Sequence, residues 1–173
     1  RRYLQRVNNP GLKALMPILT ERAALESPSI QGLEALPGLW KMASMDPIFR
    51  KVQDEVSNEL YFEPAENEYR KFGFHTPLAL LCLYDTIIQH GDDGLDDILE
   101  KLDSNLVIED ERLINFLEIR REALLNPEDE ATAEVWRESV GRVDALRKMI
   151  KDRNFQLTVP TIVNPFGTEI LIP

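Results

Sequence analysis

The stretch from Thr76 to Gly91 constrains this chain more than any other. Thr76-Pro77 supplies a helix N-cap with proline in the first turn, and positions 78–88 are nearly all apolar. A helix that is apolar around most of its circumference has to be buried on most sides. The longest apolar run, Leu78 to Leu83, is a core segment by length and falls far short of the roughly 18 residues of a membrane span. Gly91 is placed as the C-terminal stop of this helix. With 173 residues, the chain suits one domain with a sizeable core.

Helix signals dominate elsewhere too. Arg1–Val7 reads as a helix end, broken at Asn8-Asn9-Pro10-Gly11, and a second helical stretch runs from about Leu12 to Glu26. Pro17 inside it marks a start or a kink. Ser27–Gly38 reads as a loop. Asp46-Pro47 repeats the cap-and-proline signal, and Ile48, Val52, Val56 and Leu60 then recur every four residues to form an apolar face. Glu63-Pro64 ends that helix or opens a short one through Phe72. Three more helices are expected over Leu95–Leu102, Glu109–Leu125 and about Glu128–Arg153. Phe155–Pro173, rich in β-branched residues and proline, reads as extended chain or a small hairpin. The expected fold class is mainly α with a short extended C-terminal segment.

Several chemistries are excluded. The eight glycines form neither a dinucleotide fingerprint nor a P-loop. One cysteine and two distant histidines, His75 and His90, have no zinc spacing. Gly94 and Glu100 have the spacing of a calcium-binding EF-hand loop, but Gln89 and Gly91 would then occupy positions that need carboxylates. The run Asp92-Asp93-Gly94-Leu95-Asp96-Asp97 reads instead as an acidic helix start. Cys82 reads as a buried thiol. No metal or cofactor is expected. A net charge of -10 disfavours nucleic acid and anionic membranes as partners. The opening Arg1-Arg2-Tyr3-Leu4-Gln5-Arg6 has no apolar core of a signal peptide.

Asp85 stands out, because it is a charge in Leu80-Leu81-Cys82-Leu83-Tyr84-Asp85-Thr86-Ile87-Ile88. An unpaired buried carboxylate costs several kcal/mol, so Asp85 needs a cationic or hydrogen-bonding partner. It serves either as a structural ion pair or as part of a functional site. Leu113, Leu117 and Leu124 mark a core stripe with Arg120 near its centre, and Glu118 and Glu122 point the other way. Val135, Val143, Leu146 and Ile150 mark the core of the last helix, flanked by Arg142. A buried Arg120–Asp85–Arg142 cluster would hold a carboxylate charged and in a fixed rotamer.

Three segments occur in a family order: Ile48-Phe49-Arg50-Lys51-Val52-Gln53-Asp54-Glu55, then Tyr61-Phe62-Glu63-Pro64-Ala65, then Leu83-Tyr84-Asp85-Thr86-Ile87-Ile88-Gln89-His90-Gly91. Together they resemble the inverting chitosanases, glycoside hydrolase family forty-six. Phe116-Leu117-Glu118-Ile119-Arg120 is similar to that family's later Phe-Leu-x-x-Arg segment. Arg142-Val143-Asp144 and the stretch from Phe155-Gln156-Leu157 to Ile172 continue the order. The resemblance covers nearly all of the chain and is specific from Ile48 to Gly91. Between Arg120 and Arg142 this chain is longer than familiar members.

The resemblance implies a lysozyme-like, two-lobed helical fold with an acidic cleft, as a single chitosanase-like domain over residues 1–173. It implies an endo-acting hydrolase that cleaves the β-1,4 links of chitosan with inversion, secreted and independent of metals and cofactors. An acidic protein suits that cationic polymer. A glutamic acid would protonate the glycosidic oxygen while an aspartate activates water, the two standing roughly 6.5–9.5 Å apart. By the resemblance both belong to a segment expected upstream of Arg1, so the chain reads as N-terminally truncated and inactive alone. Asp85, Arg120 and Arg142 match the residues that steady the catalytic glutamate, and Tyr61 and His90 match positions beside the cleft. Asp54, Glu55, Glu59 and Glu63 are further candidates for an acidic groove. The alternatives are a non-catalytic sugar- or protein-binding domain of the same type, and a related hydrolase of peptidoglycan or chitin.

Overall fold

The computed structural model describes residues 1–127, 131 and 133–173, and the described residues are mainly helical. The chain divides into two compact units, Arg1–Leu60 and Tyr61–Pro173.

The first unit contains α1 (Arg2–Arg6), α2 (Pro10–Ala24), α3 (Leu36–Ala43) and α4 (Pro47–Ser57). The Asn9 side chain caps α2 by accepting from the Leu12 amide, so this helix starts at Pro10, two residues earlier than expected. Pro17 lies inside α2. Helix α3 corrects the expected loop at its C-terminal end. Pro37 sits in its first turn, where a missing N–H costs nothing. Asp46 caps α4 at the Ile48 amide, 2.8 Å away, and its other oxygen accepts from the Tyr3 hydroxyl at 2.9 Å.

The small core here is Tyr3, Leu12, Ala43, Phe49 and Val52. Tyr3 and Trp40 both meet Phe49 edge-on, with centroids 4.9 and 5.0 Å apart. The expected four-residue stripe is only half right, because Ile48 and Leu60 are exposed and the buried face uses Phe49, Val52 and Val56. Four residues turn an α-helix by about 400°, so a strict spacing of four drifts about 40° per step off the core.

A π-helical turn, Asn58–Phe62, carries the boundary between the units. The second unit contains α5 (Glu63–Lys71), α6 (Pro77–Leu99), α7 (Glu109–Leu125), α8 (Ala133–Glu138), α9 (Val140–Lys151), β1 (Thr161–Val163) and β2 (Ile170–Ile172). Helix α6 is capped by Thr76 and breaks at Gly91, whose φ of 73° is the left-handed conformation that glycine tolerates. The expected helix at Leu95–Leu102 is the second half of α6, which ends at Leu99. Helix α7 spans the residues expected.

The long last helix is two helices, α8 and α9, separated at Ser139, and its expected start at Glu128 lies outside the described residues. The break resets the helical phase. Val135 is therefore exposed, while Val143, Leu146 and Ile150 are buried as expected.

Helix α6 packs on α5, α7 and α9, and α7 also packs on α8 and α9. Leu78, Leu83, Ile87, Leu113, Phe116, Leu117, Leu124 and Val143 are among the fully buried side chains of this core. Glu109, in the first turn of α7, accepts from the His75 and Thr76 amides and from the Thr76 hydroxyl, and so ties the start of α7 to the start of α6. The C-terminal segment forms an antiparallel hairpin with Ile162 opposite Leu171. Gly141 in α9 lets the chain before β2 pass close, since a Cβ there would lie 2.3 Å from the Pro165 carbonyl oxygen.

Candidate functional site

Three helices of the second unit bring Asp85, Arg120 and Arg142 together. Asp85 comes from α6, Arg120 from α7 and Arg142 from α9. Arg120 Nη2 donates to Asp85 Oδ2 at 2.7 Å, and Arg142 Nη2 donates to Asp85 Oδ1. One carboxylate is thereby shared between two guanidinium groups, each through a charge-assisted bond.

The burial differs from the expectation. Arg120 is the fully buried partner, with 0% of its side chain exposed, whereas Asp85 retains 20% and Arg142 24%. Residues 113, 117 and 124 carry Arg120 inward on the apolar stripe of α7, while position 85 lies at the margin of the apolar face of α6, beside half-buried Tyr84. The cost of desolvation therefore falls on the arginine. Burial pulls the Arg120 guanidinium below its ordinary value, and the Asp85 carboxylate opposes that.

Gln89 joins the cluster and was not singled out from the sequence. Its Oε1 accepts from Arg120 Nη2 at 2.8 Å. The available signal was its spacing, since positions 85 and 89 lie one turn apart on the same helical face. His90 is largely buried, and its ring meets Trp136 of α8 edge-on at 4.9 Å. Burial first, and then the nearby Arg120 charge, push His90 down to about 4, so it is neutral near pH 7. Tyr61 is partly buried and packs against the main core. Burial likewise raises the Cys82 thiol far above its ordinary value.

The carboxylates proposed for an acidic groove are not equivalent. Arg6 donates to both oxygens of Glu55 at 3.0 and 2.7 Å, and Arg2 donates to both oxygens of Glu59 at 2.6 and 2.8 Å. These bidentate bonds hold both carboxyls below their ordinary range and tie α1 to α4 through Glu55 and to the π-helical turn through Glu59. Glu55 and Glu59 are thus neutralised locally. Among the described residues, no group of three or more His, Cys, Asp or Glu side chains has the arrangement of a metal site. None of the described helices is long and apolar enough to cross a membrane.

A chitosanase from Bacillus subtilis (strain 168) is 34% identical over 182 residues, a match that covers 98% of this chain and 66% of that protein. The chain thus spans just under two thirds of the length of this curated relative. A Gynuella sunshinyii chitosanase, solved in complex with chitotetraose, matches with a TM-score of 0.90 and 39% identity, over 99% of this chain and 76% of the other. A mutant Bacillus subtilis MY002 chitosanase complexed with 6 GlcN gives a TM-score of 0.90 at 33% identity, with the same coverage. These neighbours share the mainly helical, lysozyme-like fold that the sequence implied. The model of glycosyl hydrolase family 46 matches residues 1–161, and the chain belongs to that family.

Proposed function

We propose that the protein carrying this chain is an endo-acting chitosanase that cleaves the β-1,4 links of glucosamine polymers with inversion and works outside the cell. The observation that carries this reading is the sharing of Asp85 between Arg120 and Arg142 in a chain of this family. Two guanidinium groups on one carboxylate leave one positive charge over. Such a rigid surplus is suited to holding a second, catalytic carboxyl in one place and orientation and to setting the pH at which it gives up its proton. Asp85, Arg120 and Arg142 are positioning residues in this account. No carboxylate of the chain is given the role of acid or base. Tyr61 and His90 are assigned to sugar contact. The net charge of -10 favours capture of protonated amino sugars along an acidic groove.

The test uses the protein as its host makes it, with reducing-end release measured on chitosan and on fully acetylated chitin oligomers across a salt series. Cleavage of chitosan is expected. So is a rise in KM with salt, as the Debye length shortens from about 10 Å at 0.1 M. Anomeric analysis of the first products should show inverted configuration. Equal turnover of both polymers, insensitive to salt, would replace this reading with a neutral-sugar hydrolase. Sugar binding without turnover would replace it with a non-catalytic domain.

A further inference from the structure

Arg120 is a fully buried guanidinium with five N–H donors, yet its bonds among the described residues all converge on Nη2. That nitrogen meets Asp85 Oδ2 at 2.7 Å, Gln89 Oε1 at 2.8 Å and the Asp85 carbonyl at 3.4 Å. Nε and Nη1 are buried without a partner among the described residues. Among the described residues, Gln89 is therefore the one side chain besides Asp85 that holds this guanidinium. Its orientation follows from chemistry. The amide oxygen has to face Arg120, because the NH2 group would set donor against donor.

What distinguishes Gln89 from Asp85 is that it accepts without carrying charge. Arg120 on α7 and Arg142 on α9 contribute two positive charges, and Asp85 on α6 contributes one negative. Among the described residues, Cys82 and His90 of α6 also couple electrostatically to this cluster, and both are uncharged near neutrality. The cluster keeps a surplus of one positive charge only while position 89 is neutral. A glutamate there would fix Arg120 equally well and cancel the surplus.

We propose that Gln89 is a further positioning residue of the reaction: its amide oxygen locks the Arg120 guanidinium behind Asp85, and its neutrality preserves the positive surplus that acts on the catalytic acid. The catalytic part rests on the chitosan-hydrolysis reading above. Two substitutions separate the two roles. Gln89→Leu removes the acceptor and keeps the surplus, whereas Gln89→Glu keeps the acceptor and removes the surplus.

The experiment measures kcat and KM for chitosan against pH in the host-made protein and both variants, alongside arginine side-chain NMR of 15N-labelled samples. Gln89→Leu is expected to lower kcat by about tenfold or more with KM changed less than about twofold, and to broaden or shift the Arg120 signal. Gln89→Glu is expected to keep kcat within about threefold at its own optimum. Its alkaline limb should move up by about half a pH unit or more, because an acid freed from surplus positive charge holds its proton longer.

Wild-type kcat in Gln89→Leu, or a Gln89→Glu profile that superimposes on wild type, would overturn the proposal. A wild type that releases no reducing ends would defeat the function reading and the catalytic half of this inference together. In that case an unshifted Arg120 signal in Gln89→Leu would overturn the remaining half, and a shifted one would support it. If Gln89→Leu does not fold, the near-isosteric Gln89→Glu decides by its pH profile.

Discussion

Replacing Asp85 by alanine removes the carboxylate that two arginines share and leaves Arg120 charged in the core. Breaking a buried ion pair from one side costs about 3–5 kcal/mol. The structure places this case near the lower end. Arg120 is wholly enclosed, but 20% of Asp85 and 24% of Arg142 are exposed, and Gln89 still accepts from Arg120. The expected loss is about 3 kcal/mol, or a fall in Tm of about 6–12 °C at about 2–4 °C per kcal/mol for a chain of this size.

Trp40 and Trp136 are the two tryptophans, one in each compact unit. Urea titration followed by fluorescence in a Trp40→Phe background therefore reports on the unit that holds the cluster. Adding Arg120→Met to Asp85→Ala should recover part of the loss, because the stranded charge goes with it. A loss below about 1 kcal/mol, or no recovery in the double variant, would mean that water already solvates the pair.

Three further outcomes are expected. His90 titrates near 4 in the folded protein against an ordinary 6.5. The unfolded chain therefore takes up that proton first as pH falls, and about 1–3 kcal/mol of stability, discounted for partial exposure, is lost between about pH 6.5 and 4. Melting curves of His90→Gln should lack that part of the slope, and an unchanged slope would contradict the burial account. Gly141→Ala should destabilise by about 1–3 kcal/mol in thermal melts, because the new methyl meets the Pro165 carbonyl; a neutral result would show that the hairpin yields easily. Asp46→Ala should cost about 1–2 kcal/mol by losing the α4 cap and the Tyr3 bond together, with Tyr3→Phe giving the smaller share in the same melts.

Elements whose start, stop and apolar stripe agree were legible from the sequence. Helix α7 opens on Glu109-Asp110-Glu111 and buries Leu113, Leu117 and Leu124, and its limits are the expected ones. Helix α3 was hidden because Pro37 and Gly38 read as loop, although proline is harmless in a first turn. The division of α8 from α9 was hidden because no glycine or proline stands at Ser139.

The neighbours of Asp85 were legible for a physical reason: a carboxylate in an apolar run has to find cations, and few arginines lie on apolar faces. Which partner is enclosed was not legible, because that depends on how three helices pack. Gln89 stayed unseen because an amide raises no charge anomaly.

The break at Gly91 also bears on the electrostatics of the arginines. Were α6 continuous to Leu99, its carbonyl dipoles would sum to a negative pole about 13 Å beyond residue 90, given a rise of about 1.5 Å per residue. The left-handed glycine ends the first stretch at His90 instead, the residue directly after Gln89, which binds Arg120. A negative partial charge of up to about half an electron is thus brought to the helix end where Gln89 holds Arg120. It offsets part of the electrostatic strain of two cations sharing one anion, with no further carboxylate. The backbone acts as a fractional counter-ion whose charge, unlike that of a second aspartate, does not change with pH.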